Sequence, residues 1–182
     1  MDTSTLHRRL VALLQERSVR HGTFTLSSGR QSDLYADARL TTLHAEGAWT
    51  IAALILDRLK PGVVGIGGPV TGADPIVGAV VAGSWTAGRP IHGFMVRKEP
   101  KGHGLMQWLE GRGNLPNGAP VCVVEDTVTT GGSLLRAVER VQEAGLDVVQ
   151  VIAVVDRQEG GAERIAAAGL ELEALVTRAE LV

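Results

Sequence analysis

Leu6, Leu10, Leu13 and Leu14 recur at the spacing of one helical face, which predicts a first helix over residues 5–17 with Ser4 as its cap. In TFTLSSGRQSDLYADAR, two short extended pieces flank the turn-like Ser27-Ser28-Gly29-Arg30. A second helix follows over residues 43–59 and stops at Pro61-Gly62. The pattern then becomes strand, Gly-rich turn, helix, repeated. VVGIGG, from Val63, is a buried strand that leads through PVTGAD into the helix PIVGAVVAGSW, with Pro75 suited to its first turn. Further strands begin at Ile91, Val121 and Val148. Between the last two lies SLLRAVERVQEAG, a helix with Leu134, Leu135, Val138 and Val141 facing inward, Ser133 as cap and Gly145 as stop. GGAERIAAAG supplies a short helix and LELEALVT a final alternating strand. Trp49 and Trp85 fall in helices and are assigned to the core. Residues 98–120 show no clear period, and an unstructured stretch of that length in a compact domain is functional or disordered.

Strands alternating with helices define an α/β fold with a mainly parallel central sheet flanked by helices. Composition agrees. The 182 residues fit one domain and are 45% hydrophobic, but include only three Trp, two Phe and one Tyr. The core therefore leans on Val, Leu, Ile and Ala, as the strands of a buried parallel sheet do. A formal net charge of −2 gives no broad electrostatic attraction to nucleic acid or an acidic membrane, so any anion site is local. Cys122 is the only cysteine, which excludes an intrachain disulfide and fits a reducing cytoplasm. Mid-strand, it reads as a small buried hydrophobe. The N-terminus carries charges every few residues and reads as an amphipathic helix, not a signal peptide. No stretch approaches the ~20 apolar residues of a membrane span.

Candidate chemistry concentrates in VCVVEDTVTTGGS, residues 121–133. A buried strand ends in two adjacent carboxylates, Glu125 and Asp126, and a Thr/Gly loop then enters a helix. Gly131 and Gly132 let backbone amides approach an anion, and the helix start adds unpaired N–H groups with a partial positive charge. Thr129, Thr130 and Ser133 add hydroxyl donors. These parts make a phosphate cradle. Acids beside a phosphate site repel it unless they address something else, such as sugar hydroxyls or a magnesium ion; a ribose 5-phosphate fits, with its phosphate in the loop and its hydroxyls at the acids. The loop has neither the Lys of a P-loop nor the G-x-G-x-x-G spacing of a dinucleotide fold.

VVEDTVTTGGS closely resembles the phosphoribosyl diphosphate motif of the type I phosphoribosyltransferases. That resemblance implies their fold, with a small N-terminal hood formed mainly by residues 1–40, in a single domain spanning 1–182. It assigns the run Glu125, Asp126, Thr127, Val128, Thr129, Thr130, Gly131, Gly132 and Ser133 to phosphoribosyl diphosphate. Within it, Thr129 to Ser133 hold the 5-phosphate, and Glu125 and Asp126 bond the ribose hydroxyls. It also implies Mg2+ as cofactor, bound largely by substrate and water, with no dedicated protein metal cage.

A departing diphosphate needs cations. Arg97, Lys98, Lys101 and His103 lie within seven residues, and Gly102 and Gly104 suit a lid that moves. RKEPKGHG resembles the loop that marks the orotate phosphoribosyltransferases. Carried across, Arg97, Lys98, Lys101 and His103 contact the diphosphate, Lys101 is the main catalytic residue, and residues 98–113 form a mobile loop. In that family the loop reaches the neighbouring subunit's site, which implies a homodimer with shared sites. FTLSSGRQSDLYAD resembles the hood over the base, which brings Tyr35 to orotate, and ADPI resembles the segment that approaches the diphosphate. Asp156-Arg157 matches the family's Asp-Arg, which gives Arg157 the orotate carboxylate, with Thr129 also touching orotate. Departures are Ser27, where many members carry Lys, and Ala36, where the hood has a second aromatic. Trp108, in the lid region, is read as packing it down. Two other readings stand beside this one: a phosphoribosyltransferase for another base, and a non-enzymatic sensor of phosphoribosyl diphosphate or a nucleotide.

Overall fold

A computed structural model describes residues 2–25, 31–100 and 108–182, with only the backbone described at 21, 23–25 and 31–36. The chain opens with α1 (Thr3–Arg17), β1 (Val19–Thr25) and β2 (Gln31–Ala36), then α2 (Arg39–Thr42) and α3 (Ala45–Arg58). The repeating part follows: β3 (Gly65–Pro69), α4 (Asp74–Thr86), β4 (His92–Val96), β5 (Leu109–Glu110), β6 (Pro120–Val128), α5 (Gly132–Glu143), β7 (Asp147–Asp156), α6 (Gly161–Ala167) and β8 (Leu172–Thr177).

Among the described residues, six strands form one sheet in the order β5-β4-β3-β6-β7-β8, and β1 pairs with β2 as a separate antiparallel ribbon. Every neighbour pair of the large sheet is parallel except β4–β5. The sheet is thus mainly parallel and flanked by helices, as the alternating pattern requires. Side chains of β6 alternate between its two faces. Cys122 and Val124 join α1, α3 and α4 in one core cluster. Val121 and Val123 join α5 and α6 in the other. Burial on both faces accounts for the unbroken apolar run. Leu10, Leu13 and Leu14 of α1 are fully covered, which contributes about 2 kcal/mol apiece.

The structure corrects several expectations. Asp2, not Ser4, caps α1: its carboxylate accepts from Thr5 N at 2.9 Å. The helix expected over 43–59 starts at Ala45, because His44 is extended and its N–H turns back to Thr41 O at 3.0 Å. Trp49 and Trp85 are not core residues; they are 57% and 75% exposed. The stretch 98–120 contains β5, whose two residues pair with Met95 and Val96. Gly145 does end α5, with a φ of 76° and the Leu146 N–H closing on Val141 O at 3.2 Å. Cys122 is fully buried, and burial pushes its thiol far above the usual range.

Candidate active site

Chain direction along the sheet reverses at its middle. From β3 the chain moves outward to β4 and β5, then returns to the other side of β3 as β6. At such a switch point the loops leaving two adjacent strands part and open a crevice at their C-terminal ends. Here the loops are those after β3 and β6. Between them lies a cleft of about 360 Å³, closed by Asp37 and Arg39 from the N-terminal segment and by Arg157 at the end of β7.

β6 carries the acids into this cleft. Val121, Cys122, Val123 and Val124 are fully buried and hold it in the sheet; Glu125, Asp126 and Thr127 emerge half-buried near its end. Burial pushes the Glu125 carboxyl up to about 7; the Ser133 hydroxyl opposes this, Asp126 adds to it and Arg136 opposes it. Asp126 is also raised, again chiefly by burial, against a 2.7 Å hydrogen bond from Thr127 N to its Oδ1. Arg39 pulls it down and Asp37 pushes it up. Arg39 is itself clamped to Asp37 by bonds of 2.8 and 2.9 Å. The Thr127 hydroxyl oxygen is buried with no hydrogen-bond partner among the described residues.

Past Val128 the chain turns sharply. Gly131 adopts a left-handed φ of 73° at the N-cap of α5, a conformation that favours glycine. Ser133, expected as the cap, instead lies inside the first turn and directs its hydroxyl to Glu125. The first-turn amides of α5 thus stand at the cleft without a side-chain cap, as an anion site at a helix start does. Opposite, the β3–α4 loop carries a cis peptide at Val70–Thr71. Gly72 follows, so close to Asp126 that no side chain fits between them. Asp74 begins α4 with Oδ1 buried and unpartnered among the described residues, and burial raises its carboxyl.

Arg157 hangs from the adjacent strand, its backbone N–H bonded to Val128 O at 2.9 Å. Its guanidinium is mostly buried and lies 2.8 Å from Glu159.

Of the residues singled out in sequence, the structure brings Lys98, Glu125, Asp126, Thr127, Thr129, Ser133 and Arg157 to one cleft. Arg97 lines a neighbouring cavity and pairs with Glu110 at 2.9 Å. Val128 is a core residue, so only its backbone is available. Lys101, His103 and Ser27 lie outside the described residues, and the side chain of Tyr35 is not described. Trp108 stacks under Arg140, 4.0 Å from guanidinium carbon to ring centroid, against the core beside α5. A larger groove of about 610 Å³ between Trp108, Arg112 and Arg140 contains none of the acids of β6. Sequence reasoning missed Asp37, Arg39, Thr71, Gly72 and Glu159. The run YADARL, an Asp and an Arg two apart after an extended segment, is the one local signal for the first pair.

The crevice position, acid pair and uncapped helix start define a phosphoribosyltransferase, and the phosphoribosyl transferase domain model matches residues 68–170. The orotate phosphoribosyltransferase of Thermosynechococcus vestitus is 47% identical over 183 aligned positions, covering all of this chain and 96% of that one. That of Nostoc sp. is 46% identical, covering 99% of this chain and 87% of its own. Among solved structures, Mycobacterium tuberculosis H37Rv orotate phosphoribosyltransferase in complex with 5-phospho-alpha-D-ribosyl 1-diphosphate aligns at a TM-score of 0.80 and 38% identity. That alignment covers 97% of this chain and 98% of the other. The chain belongs to the orotate phosphoribosyltransferase family.

Proposed function

We propose that the protein transfers the phosphoribosyl group of 5-phospho-α-D-ribose 1-diphosphate to a ring nitrogen of orotate, giving orotidine 5′-monophosphate and diphosphate. One observation carries this reading: two half-buried carboxylates end β6 directly before the uncapped start of α5, with Arg157 on the adjacent strand end facing the same cleft. A sugar phosphate has matching parts, hydroxyls for the acids and a phosphate for the amides. A base bearing a carboxylate has a partner in Arg157.

In this mechanism the bond from the sugar carbon to the diphosphate oxygen breaks as a bond to the ring nitrogen forms. The ring nitrogen gives up its proton, and diphosphate leaves with the electron pair of the broken bond and takes up that proton. The 5-phosphate rests on residues 129–133, and Glu125 and Asp126 accept from the ribose hydroxyls and fix the sugar ring. Alignment of base and sugar supplies much of the rate. The carboxylates also face a carbon that gains positive charge, which favours the transition state. Asp126 and nearby Asp37 are hard oxygen donors suited to Mg2+ and its water shell. Held there with the diphosphate, Mg2+ would supply charge neutralisation for the leaving group. Lys98 stands exposed at the lip of the cleft. With Arg97, Lys101 and His103 it is assigned to the leaving group, and Lys101 to the main catalytic role.

A homodimer with shared sites belongs to the same proposal, since the lid resemblance implies that the loop of residues 98–113 completes a neighbour's site. So does a cytoplasmic location; no helix among the described residues is long and apolar enough to cross a membrane.

The test mixes purified protein with phosphoribosyl diphosphate, Mg2+ and orotate, and follows the loss of orotate absorbance beside adenine, hypoxanthine and uracil. Magnesium-dependent consumption of orotate alone is expected. Consumption of a purine instead would overturn the choice of base, and binding without turnover would identify a sensor. Lys101→Ala is expected to abolish most turnover; activity within a few-fold of wild type removes Lys101 from its role.

A further inference from the structure

Glu159 stands against the guanidinium assigned to the base. Its Oε1 lies 2.8 Å from Arg157 Nη2, and the two side chains are only 13% and 11% exposed. Yet Arg157 Nε and Nη2 are both buried without a hydrogen-bond partner among the described residues. The contact is ionic but off the line of the N–H bonds. Glu159 therefore compensates the charge of Arg157 and leaves two of its donors unfilled.

The local chain holds this arrangement. Asp156 Oδ1 accepts from Gln158 N at 2.8 Å, which folds the turn back on the strand end. Gln158 sits at a φ of 54°, and its own side-chain oxygen accepts from Ala179 N at 3.1 Å. Two residues on, Gly161 packs against Val128 and the Thr129 carbonyl. Glu159 is thus fixed beside the cleft by a turn tied to the C-terminal segment and to the phosphate loop.

A buried guanidinium without a counter-ion is strongly unfavourable and attracts any anion. One whose counter-ion also fills its N–H groups has nothing left to offer. The pair here lies between these cases: a second carboxylate can take the two open donors, but it does so beside the charge of Glu159.

We propose that Glu159 is a positioning and specificity-determining residue that tunes Arg157. It holds the guanidinium at the cleft and, by like-charge repulsion, limits how tightly a carboxylate-bearing base or product is held. This rests on the reading of Arg157 as the partner of the orotate carboxylate. Its role is release and selectivity rather than affinity.

The experiment measures, on the full chain, dissociation constants for orotate and for its neutral 6-carboxamide, in wild type, Glu159→Gln, Glu159→Ala and Glu159→Asp. The readout is the ratio of carboxamide to carboxylate constants, because a merely structural disturbance weakens both ligands alike. In Glu159→Gln and Glu159→Ala the ratio is expected to rise about tenfold, with like-charge repulsion removed. The KM for orotate falls, and the KM for phosphoribosyl diphosphate stays within twofold. Glu159→Asp, which keeps the charge, stays near the wild-type ratio. A ratio unchanged in either charge-removing variant overturns the proposal, as does a rise of equal size in Glu159→Asp. Failure of the underlying reading is separate: wild type would then bind orotate no better than the carboxamide.

Discussion

A Cβ on Gly72 would lie 2.6 Å from Asp126 Oδ1. The β3–α4 loop and the acid end of β6 thus share a wall with no room for a methyl group. Gly72→Ala moves the carboxylate, not the core, since the obstacle is the tip of a side chain. Misplacing a catalytic-site group by about 1 Å costs up to ~100-fold. The expected outcome is a tenfold or larger fall in kcat/KM for phosphoribosyl diphosphate with an unchanged melting temperature. A variant of full activity would separate Asp126 from the sugar.

Glu125 gives the site a pH dependence of definite sign. Its folded-state value of about 7 lies above the ordinary 4.5, so between those values the folded protein keeps a proton that the unfolded chain has released. The contribution of Glu125 to stability is greatest below about 4.5 and is lost as pH rises through about 7. Glu125→Gln removes that loss and is expected to melt above wild type at pH 8, the two converging near pH 4. Binding runs the other way. In the proposed role the carboxylate form accepts from the ribose hydroxyls, so affinity for phosphoribosyl diphosphate is expected to rise from pH 6 to 8 in wild type and to be flatter in the variant. Calorimetric titration at the two pH values reads both.

Arg157→Ala removes the partner proposed for the base and leaves Glu159 partly buried without that counter-charge. Truncating one side of such a pair costs about 2–5 kcal/mol in binding. Orotate KM is expected to rise at least thirtyfold, while the KM for phosphoribosyl diphosphate changes little. Equal rises in both constants would assign Arg157 to the scaffold.

Gly161→Ala probes how the last two loops meet. Its Cβ would stand 2.5 Å from Val128 Cγ1 and 2.9 Å from the Thr129 carbonyl oxygen, and a backbone atom does not yield cheaply. Overpacking of this kind costs about 1–3 kcal/mol. The melting temperature is expected to drop, and affinity for inorganic phosphate at the loop to weaken with it.

The acids of β6 are legible in sequence because charge at the end of an otherwise buried run contradicts burial unless a ligand answers it. The alternation of strand and helix is equally legible, since each strand between Val63 and Thr177 buries its apolar run against a helix layer. Other features leave no local trace. A Ser at a helix start reads as a cap, yet Gly131 takes that position by its left-handed φ and frees Ser133 for Glu125. Trp85 misleads because α4 is apolar or small on every side, so its period does not say which face is inside. Leu109 and Glu110 are too few to show a period. Glu159 meets Arg157 only through the turn at Gln158, which depends on a bond from distant Ala179.

The reversal of chain direction between β3 and β6 brings loops from separate strand ends around one cleft. On the proposed reading, diphosphate faces the segments after β3 and β4, sugar and phosphate the segment after β6, and the carboxylate of the base the end of β7. Each is anchored separately on a rigid strand end. A lineage could therefore rewrite the last segment, and with it the choice of base, while inheriting the sugar-phosphate grip unaltered.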